Sequence, residues 1–181
     1  ADISFEPDDF VRVLAFNKPL TAAPYPIKKE TPIEDGDASM GWCLNFPLGK
    51  YNHNDNDDGF KICNYAGTGF MCIKRDVFET ILKKYPSIEY KSDVVAHVNN
   101  KTKSHKGNTE YAFFDCGIQG QGILEDNDKT KRYLSEDYYF CQLWKQCGGE
   151  IWADLTSNLQ HIGIKNYIRK PILKLKPHDK K

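Results

Sequence analysis

Apolar residues recur at helical spacing in three stretches, with short strand-like runs between them. In "ISFEPDDFVRVLAF" the end of a strand leads into a helix opened by Pro7, with Asp8 and Asp9 in its first turn. Proline suits the first helical position, and early acids complement the positive end of the helix dipole. The spacing makes Phe10, Val13, Leu14 and Phe16 the buried face. "CNYAGTGFMCIKRDVFETILKKYP" predicts a strand centred on Phe70 to Ile73. A helix then starts at Asp76 as N-cap, buries Val77, Phe78, Ile81, Leu82 and Tyr85, and stops at Pro86. "YLSEDYYFCQLWKQCGGEIWAD" predicts a third helix with Ser135 as N-cap and Glu136 and Asp137 as first-turn acids. Phe140, Cys141, Trp144 and Cys147 share one face, Gly148-Gly149 ends the helix, and a strand follows at Ile151 to Ala153.

The remaining segments are less periodic. "PLTAAPYPIK" reads as a strand running into a Pro-rich turn. Lys29 to Lys61 is polar and acidic, a long loop with a short hairpin. Between Ser87 and Lys131 only "EYAFFDCGI" is strand-like. Strands alternating with helices predict an α/β layered domain.

Composition narrows the class. The 181 residues suit one domain, and 40% hydrophobic with 28% charged residues supports a packed core rather than wholesale disorder. Lys+Arg and Asp+Glu are equal at 25 each, so the chain lacks the positive field that nucleic-acid binding uses. The basic end, Lys165 to Lys181, reads as a solvated tail. No apolar run approaches the roughly 20 residues that span a bilayer, and "ADISFEPDDF" is not a signal peptide. Cys43, Cys63, Cys72, Cys116, Cys141 and Cys147 include no CxxC pair. Cys72, Cys141 and Cys147 sit among apolar neighbours, as small buried residues in a reducing, cytoplasmic setting. The sequon Asn100-Lys101-Thr102 is a common chance tripeptide.

Several stretches carry candidate chemistry. "NHNDNDDGFKIC" imitates the opening of a calcium loop at Asn54, Asn56, Asp58 and Gly59. Its first position is Asn and its twelfth is Tyr65 where a bidentate Glu is needed, so a solvated acidic loop is the plainer reading. Gly67-Thr68-Gly69 precedes a strand and does not link a strand to a helix N-terminus, so it is no dinucleotide fingerprint. Its glycines let the backbone pass close to a ligand or to another strand. Glu136 and Asp137 are explained by the helix start alone, and an isolated His161 by a structural role. Asp2, in what reads as the C-terminal end of a strand, completes a recurrent combination of acid, acid pair and late histidine.

In that order, these pieces resemble a GT-A-fold glycosyltransferase, similar to the family 2-like members carried by phages and large DNA viruses. "ADISFEP" resembles a D-x-D motif whose second aspartate is Asp2. "YAGTGFMCIKRDVFETI" is similar to the family's Gly-containing central strand and following helix. "SEDYYFCQLWKQCGGEIWAD" resembles the E-D helix start and G-G turn, and "LQHIGIKNY" the late metal-site histidine. The likeness runs over roughly Ala1 to Tyr167 and leaves 168–181 as tail.

The resemblance implies a three-layer α/β/α sandwich with a mixed sheet, whose nucleotide-holding strands and first D-x-D aspartate lie outside this sequence. It implies a metal-dependent, inverting hexosyltransferase moving sugar from a nucleotide-sugar to a carbohydrate or glycoconjugate hydroxyl. Asp2 and His161 would bind Mn²⁺ or Mg²⁺, with Asp137 as general base and Glu136 orienting the acceptor. Gly67, Thr68 and Gly69 would border the donor and acceptor sugars. Trp42 and Tyr65 could stack on sugar, and the loop from Glu30 to Lys61 could act as a lid. The alternative is a non-catalytic GT-A-derived carbohydrate-binding or assembly module.

Overall fold

The computed structural model describes residues 2–28, 41–46, 58–93, 95–98, 101–104, 107–127 and 129–163; for 95–98 and 101–104 it describes the backbone alone. The lid call on 30–61 falls largely outside these residues, as do Asn54, Asn56, Asn100 and the basic tail.

In chain order the elements are β1 (Ile3–Ser4), α1 (Pro7–Ala15), β2 (Leu20–Ala22), β3 (Leu44–Asn45), β4 (Phe60–Cys63), β5 (Tyr65–Ala66), β6 (Met71–Ile73) and α2 (Arg75–Lys84). There follow β7 (Glu89–Lys91), β8 (Val95–Val98), β9 (Lys101–Ser104), β10 (Thr109–Tyr111), β11 (Gly117–Ile118), β12 (Tyr133–Leu134), α3 (Glu136–Gln146), β13 (Ile151–Asp154) and β14 (Gln160–His161). The largest sheet has the order β4-β13-β2-β6. It is mixed: β13 runs parallel to β2 and antiparallel to β4, while β2 is antiparallel to β6. The chain is thus an α/β protein with a mixed sheet and, among the described residues, three α-helices.

Helix α3 lies at the centre of the core. Tyr139 through Trp144 are all buried, with Phe140, Cys141 and Leu143 fully so. Six consecutive buried residues cover every side of the middle of the helix, which therefore lies in the interior and is not a surface helix with one covered stripe. The expected single face of Phe140, Cys141, Trp144 and Cys147 is therefore too narrow, and Cys147 is only half-buried. Phe140 stacks on Phe114 at 4.5 Å, and the Cys141 thiol donates to the Ala66 carbonyl of β5 at 3.6 Å. Val77 and Ile81 of α2, Leu20 of β2 and Ile151 of β13 complete this core.

The end of α3 is a Schellman turn: Gly148 N–H donates to Lys145 O at 2.9 Å and Gly149 N–H to Trp144 O at 3.1 Å. Gly148, at φ +85, takes the left-handed position. Gly149 is needed for space, because a Cβ there would lie 1.9 Å from Cε2 of the Trp144 indole. That ring is pinned by its own N–H, which donates to Glu150 O at 2.9 Å. Gly149→Ala is expected to cost about 2–3 kcal/mol through overpacking. Thermal denaturation should show Tm falling by roughly 4–12 °C; an unchanged Tm would mean that the indole moves aside freely.

Helix α1 departs from expectation. Val13 is buried, but Phe10, Val11 and Leu14 are 48%, 60% and 47% exposed. The inward stripe is Asp9 with Val13, one helical turn apart. Asp9 is drawn in because its carboxylate accepts Glu6 N–H at 3.0 Å and Asn158 N–H at 3.2 Å. Phe16, at the helix end, stacks on Phe60 at 3.7 Å. Arg12 lies over the same Phe60 ring at 4.6 Å and donates from Nε to Asp154 at 2.8 Å. Asp154 is fully buried and also accepts Thr156 N–H at 3.0 Å, Thr156 Oγ1–H at 2.7 Å and Ser157 Oγ–H at 3.0 Å.

Helix α2 begins at Arg75 with Lys74 as N-cap, so Asp76 is a first-turn acid and not the cap. The helix ends at Lys84, before Pro86, as the sequence predicts. "EYAFFDCGI" is not the sole strand-like run: β7 pairs with β10 and β8 with β9 as antiparallel ladders. The described residues of β7 and β10 are almost all exposed, so no buried alternation marks them. All six cysteines are free thiols; Cys141 is buried as expected, whereas Cys72 and Cys147 are only half-buried. No helix among the described residues is long and apolar enough to cross a membrane.

Candidate functional site

The site begins with a sheet of two short strands. β1 pairs antiparallel with β14, Ile3 opposite His161 and Ser4 opposite Gln160. Ile162 N–H extends the ladder to Asp2 O at 2.7 Å. Asp2 thus stands at the start of a strand and not at its C-terminal end, which corrects the sequence reading. The pairing brings Asp2 Oδ2 within 3.1 Å of His161 Nε2, although 159 positions separate the residues.

The other ring nitrogen, Nδ1, lies 2.8 Å from the Pro26 carbonyl oxygen. A carbonyl can only accept, so Nδ1 carries the proton. Nε2 then faces the Asp2 carboxylate, another acceptor. The ring must either hold a second proton or share a cation with Asp2. A backbone carbonyl fixing the far nitrogen is the arrangement that orients metal-binding histidines. Donors 3.1 Å apart can occupy neighbouring corners of an octahedral shell with bonds of about 2.1–2.2 Å. Among the described residues no group of three or more His, Cys, Asp or Glu gathers. The pair is therefore a two-ligand set that would leave most of a metal's shell to other oxygens.

Lys28 Nζ donates to the same Asp2 oxygen at 2.6 Å. This bond, with a lesser contribution from His161, lowers the Asp2 carboxyl from 3.8 to about 2. Because the folded value is the lower one, the pairing is fully present above pH 3.8 and is lost as pH falls toward 2. Lys28→Gln is expected to return Asp2 toward its ordinary value, followed by carbon-detected NMR titration of the side-chain carboxyl. A carboxyl still titrating near 2 would assign the effect to His161 instead.

Tyr25 forms the wall behind this pair. Its ring meets the His161 ring edge-on at 5.4 Å, and its hydroxyl accepts Gly69 N–H at 3.3 Å. A Cβ on Gly67 would lie 2.4 Å from the Tyr25 hydroxyl, and one on Gly69 would lie 2.6 Å from the ring. The two glycines thus make room for a tyrosine, which identifies the close neighbour that the sequence left open. Thr68, exposed between them, starts a single 3-10 turn before β6.

Asp137 sits at the start of α3, where Ser135 Oγ–H donates to its Oδ1 at 2.7 Å. Ser135 holds the N-cap position, but its hydroxyl serves Asp137 and not the helix backbone. Burial pushes the Tyr25 hydroxyl and the Cys43 thiol upward, and the Asp137 carboxylate adds to both shifts. Tyr138 is pushed up to about 12, again by burial and then by Asp137. Glu136 is exposed in the same first turn.

Trp42 and Tyr65 are 8% and 4% exposed, so neither offers an open stacking face. Tyr65 stacks instead on Tyr138 at 4.6 Å. Tyr25, Pro26 and Lys28 were missed as site residues. Their common signal is the short "YPIK" run, where proline prevents regular structure and presents a carbonyl and an amine side by side.

No family model, curated protein or solved structure matches the chain.

Proposed function

We propose that this protein is a metal-dependent glycosyltransferase of the GT-A fold that moves a sugar from a nucleotide-sugar to an acceptor hydroxyl with inversion. The observation that carries the reading is the β1–β14 pairing, which brings Asp2 and His161 together behind Tyr25.

Asp2 Oδ2 and His161 Nε2 would hold Mn²⁺ or Mg²⁺, and the imidazole favours manganese. Such an ion, when bound, supplies Lewis-acid stabilisation of charge on the leaving diphosphate. Pro26 O keeps the proton on Nδ1 and so leaves the Nε2 lone pair for ligation. Lys28, released from Asp2, is placed to pair with phosphate oxygen. Asp137 accepts the proton of the acceptor hydroxyl on Oδ2, since Oδ1 is occupied by Ser135. The acceptor oxygen forms its bond to the anomeric carbon as the carbon–phosphate-oxygen bond breaks. The bonding electrons leave on the nucleoside diphosphate.

Calorimetric titration with Mn²⁺ alone tests the site. The unaltered chain is expected to bind, and His161→Ala to weaken binding about tenfold or more, as loss of a direct ligand should exceed outer-shell effects. Equal binding by the two would remove His161 from the site. One observation favours a second reading, a non-catalytic carbohydrate-binding module: the Lys28 ammonium already neutralises Asp2. In that case the Asp2–Lys28 pair should persist in the presence of Mn²⁺, and no UDP- or GDP-sugar should be consumed.

A further inference from the structure

Against the Gln142–Gln146 end of α3 lies a cavity of about 470 Å³, within the size range of small-molecule sites. Its lining includes Asn64, Tyr65, Gln119, Asn127 and Gln142, with two cations, Arg132 and Lys145, and one carboxylate, Glu125. Most ligand pockets are predominantly apolar with a few polar groups. Here polar side chains are as prominent as the apolar surface of the Tyr65 ring and the side-chain stems, so an occupant meets several hydrogen-bonding groups.

The floor is built and rigid. Gln119 and Gln142 are 3% and 5% exposed. Tyr65 OH donates to Gln142 Oε1 at 2.8 Å and accepts Gln119 Nε2–H at 3.3 Å. Gln142 Nε2–H donates to Gln146 Oε1 at 3.0 Å, and Gln146 in turn donates to Tyr85 OH at 2.7 Å. A satisfied buried network of this kind holds its members in one arrangement.

Two cations, Arg132 and Lys145, face one carboxylate, Glu125, across the lining, and Arg132 follows a strained turn. Lys129 and Lys131 are non-glycine residues at φ +56 and +50. The backbone holds them there by wrapping the Asp126 carboxylate, which accepts Thr130 N–H at 2.9 Å and Lys131 N–H at 3.2 Å. Left-handed residues in a non-glycine turn carry a conformational cost that the surrounding bonds must offset. The turn directs Arg132 back over the Tyr65 and Tyr138 rings at 5.3 and 5.9 Å. Lys145 lies over Tyr65 at 4.6 Å. Among the described residues Arg132 has no carboxylate at salt-bridge distance. A guanidinium held near aromatic rings by its central carbon can keep N–H groups for a planar or tetrahedral anion.

We propose that this cavity binds an anionic saccharide. Its carboxylate or phosphate pairs with Arg132, and its hydroxyls meet the side-chain amides of Asn64 and Asn127. The site uses none of Asp2, His161 or Asp137, so it stands or falls independently of glycosyl transfer.

The test is ligand-observed NMR and calorimetry on the full chain with glucuronate, glucose 6-phosphate, glucose and inorganic phosphate as probes. The two anionic sugars are expected to bind with Kd on the order of 1 mM, the usual strength for a single small polar ligand. Glucose and free phosphate are expected to bind at least about tenfold more weakly, because each lacks one half of the recognition. Arg132→Gln should weaken the anionic sugars by about tenfold, and Arg132→Lys should restore part of the loss. Lys83→Gln, at an exposed position in the last turn of α2, should change nothing. Comparison of glucuronate with glucose 6-phosphate separates carboxylate from phosphate as the preferred anion. Glucose binding as well as glucuronate, phosphate binding as well as either sugar, or insensitivity to Arg132→Gln would each overturn the proposal. So would the absence of binding by all four probes.

Discussion

Asp137→Asn is expected to lower the turnover of sugar transfer by about 10²–10⁴-fold, the range that a positioned general base contributes. The asparagine amide has nearly the same shape and can still accept the Ser135 hydroxyl, which now donates to Oδ1 at 2.7 Å. It cannot take a proton from an acceptor at neutral pH. The helix loses only a first-turn negative charge, worth about 0.3–1 kcal/mol at an exposed terminus. Folding should therefore survive, with kcat falling and KM little changed. Screening UDP- and GDP-sugars against carbohydrate acceptors, with product release followed in coupled assays, reads the effect. Near-normal turnover with an unaltered circular dichroism spectrum would show that the base lies elsewhere. Glu136→Gln should have a smaller effect, because Glu136 is exposed and is assigned orientation and not proton transfer.

The largest expected loss of stability follows Asp154→Ala. Asp154 joins α1 to the turn after β13 by accepting from Arg12, Thr156 and Ser157. Removing one partner of a buried ion pair costs about 3–5 kcal/mol, because the other charge is left without compensation. The Arg12 side chain is 26% exposed, so water recovers part of that cost and the lower end, about 3 kcal/mol, applies. Urea unfolding should show this loss as a shift in midpoint at unchanged slope. In a double-mutant cycle with Arg12→Met, the combined loss should fall short of the sum of the single losses. A loss below about 1 kcal/mol would place the pair with ordinary surface contacts.

The parts of the fold that could be read from sequence are those where periodicity and burial agree. Val77 and Ile81 repeat one turn apart, face the core and specify α2. The Gly148-Gly149 pair marks the end of α3 because only there does the chain require both a left-handed residue and a bare Cα beside an indole. Where periodicity competes with polar satisfaction, the reading fails. Phe10 and Leu14 form the more apolar stripe of α1, yet Asp9 faces inward because two backbone N–H groups require it. In β7 and β10 there was no alternation to read, since both faces of each strand meet water. The candidate site was legible in part. Asp2 and His161, which the structure pairs, stood out by chemistry and order, but Lys28 and Tyr25 did not. Their contribution depends on a two-residue strand pairing whose partners lie 159 positions apart, and no local pattern encodes such a contact.

That pairing also bears on the order of events during synthesis. The central core, from Leu20 to Ile151, is complete before His161 has joined the chain. Closing β1 onto β14 joins the ends of nearly the whole described sequence, the kind of non-local contact that is made late because it must overcome the largest loop-closure entropy. A nascent chain would thus hold Asp2 without its histidine while the rest packs, and would acquire that partner only after the core has closed. A chain cut just before Gln160 should retain its secondary structure by circular dichroism but lack the manganese binding proposed for the Asp2–His161 pair.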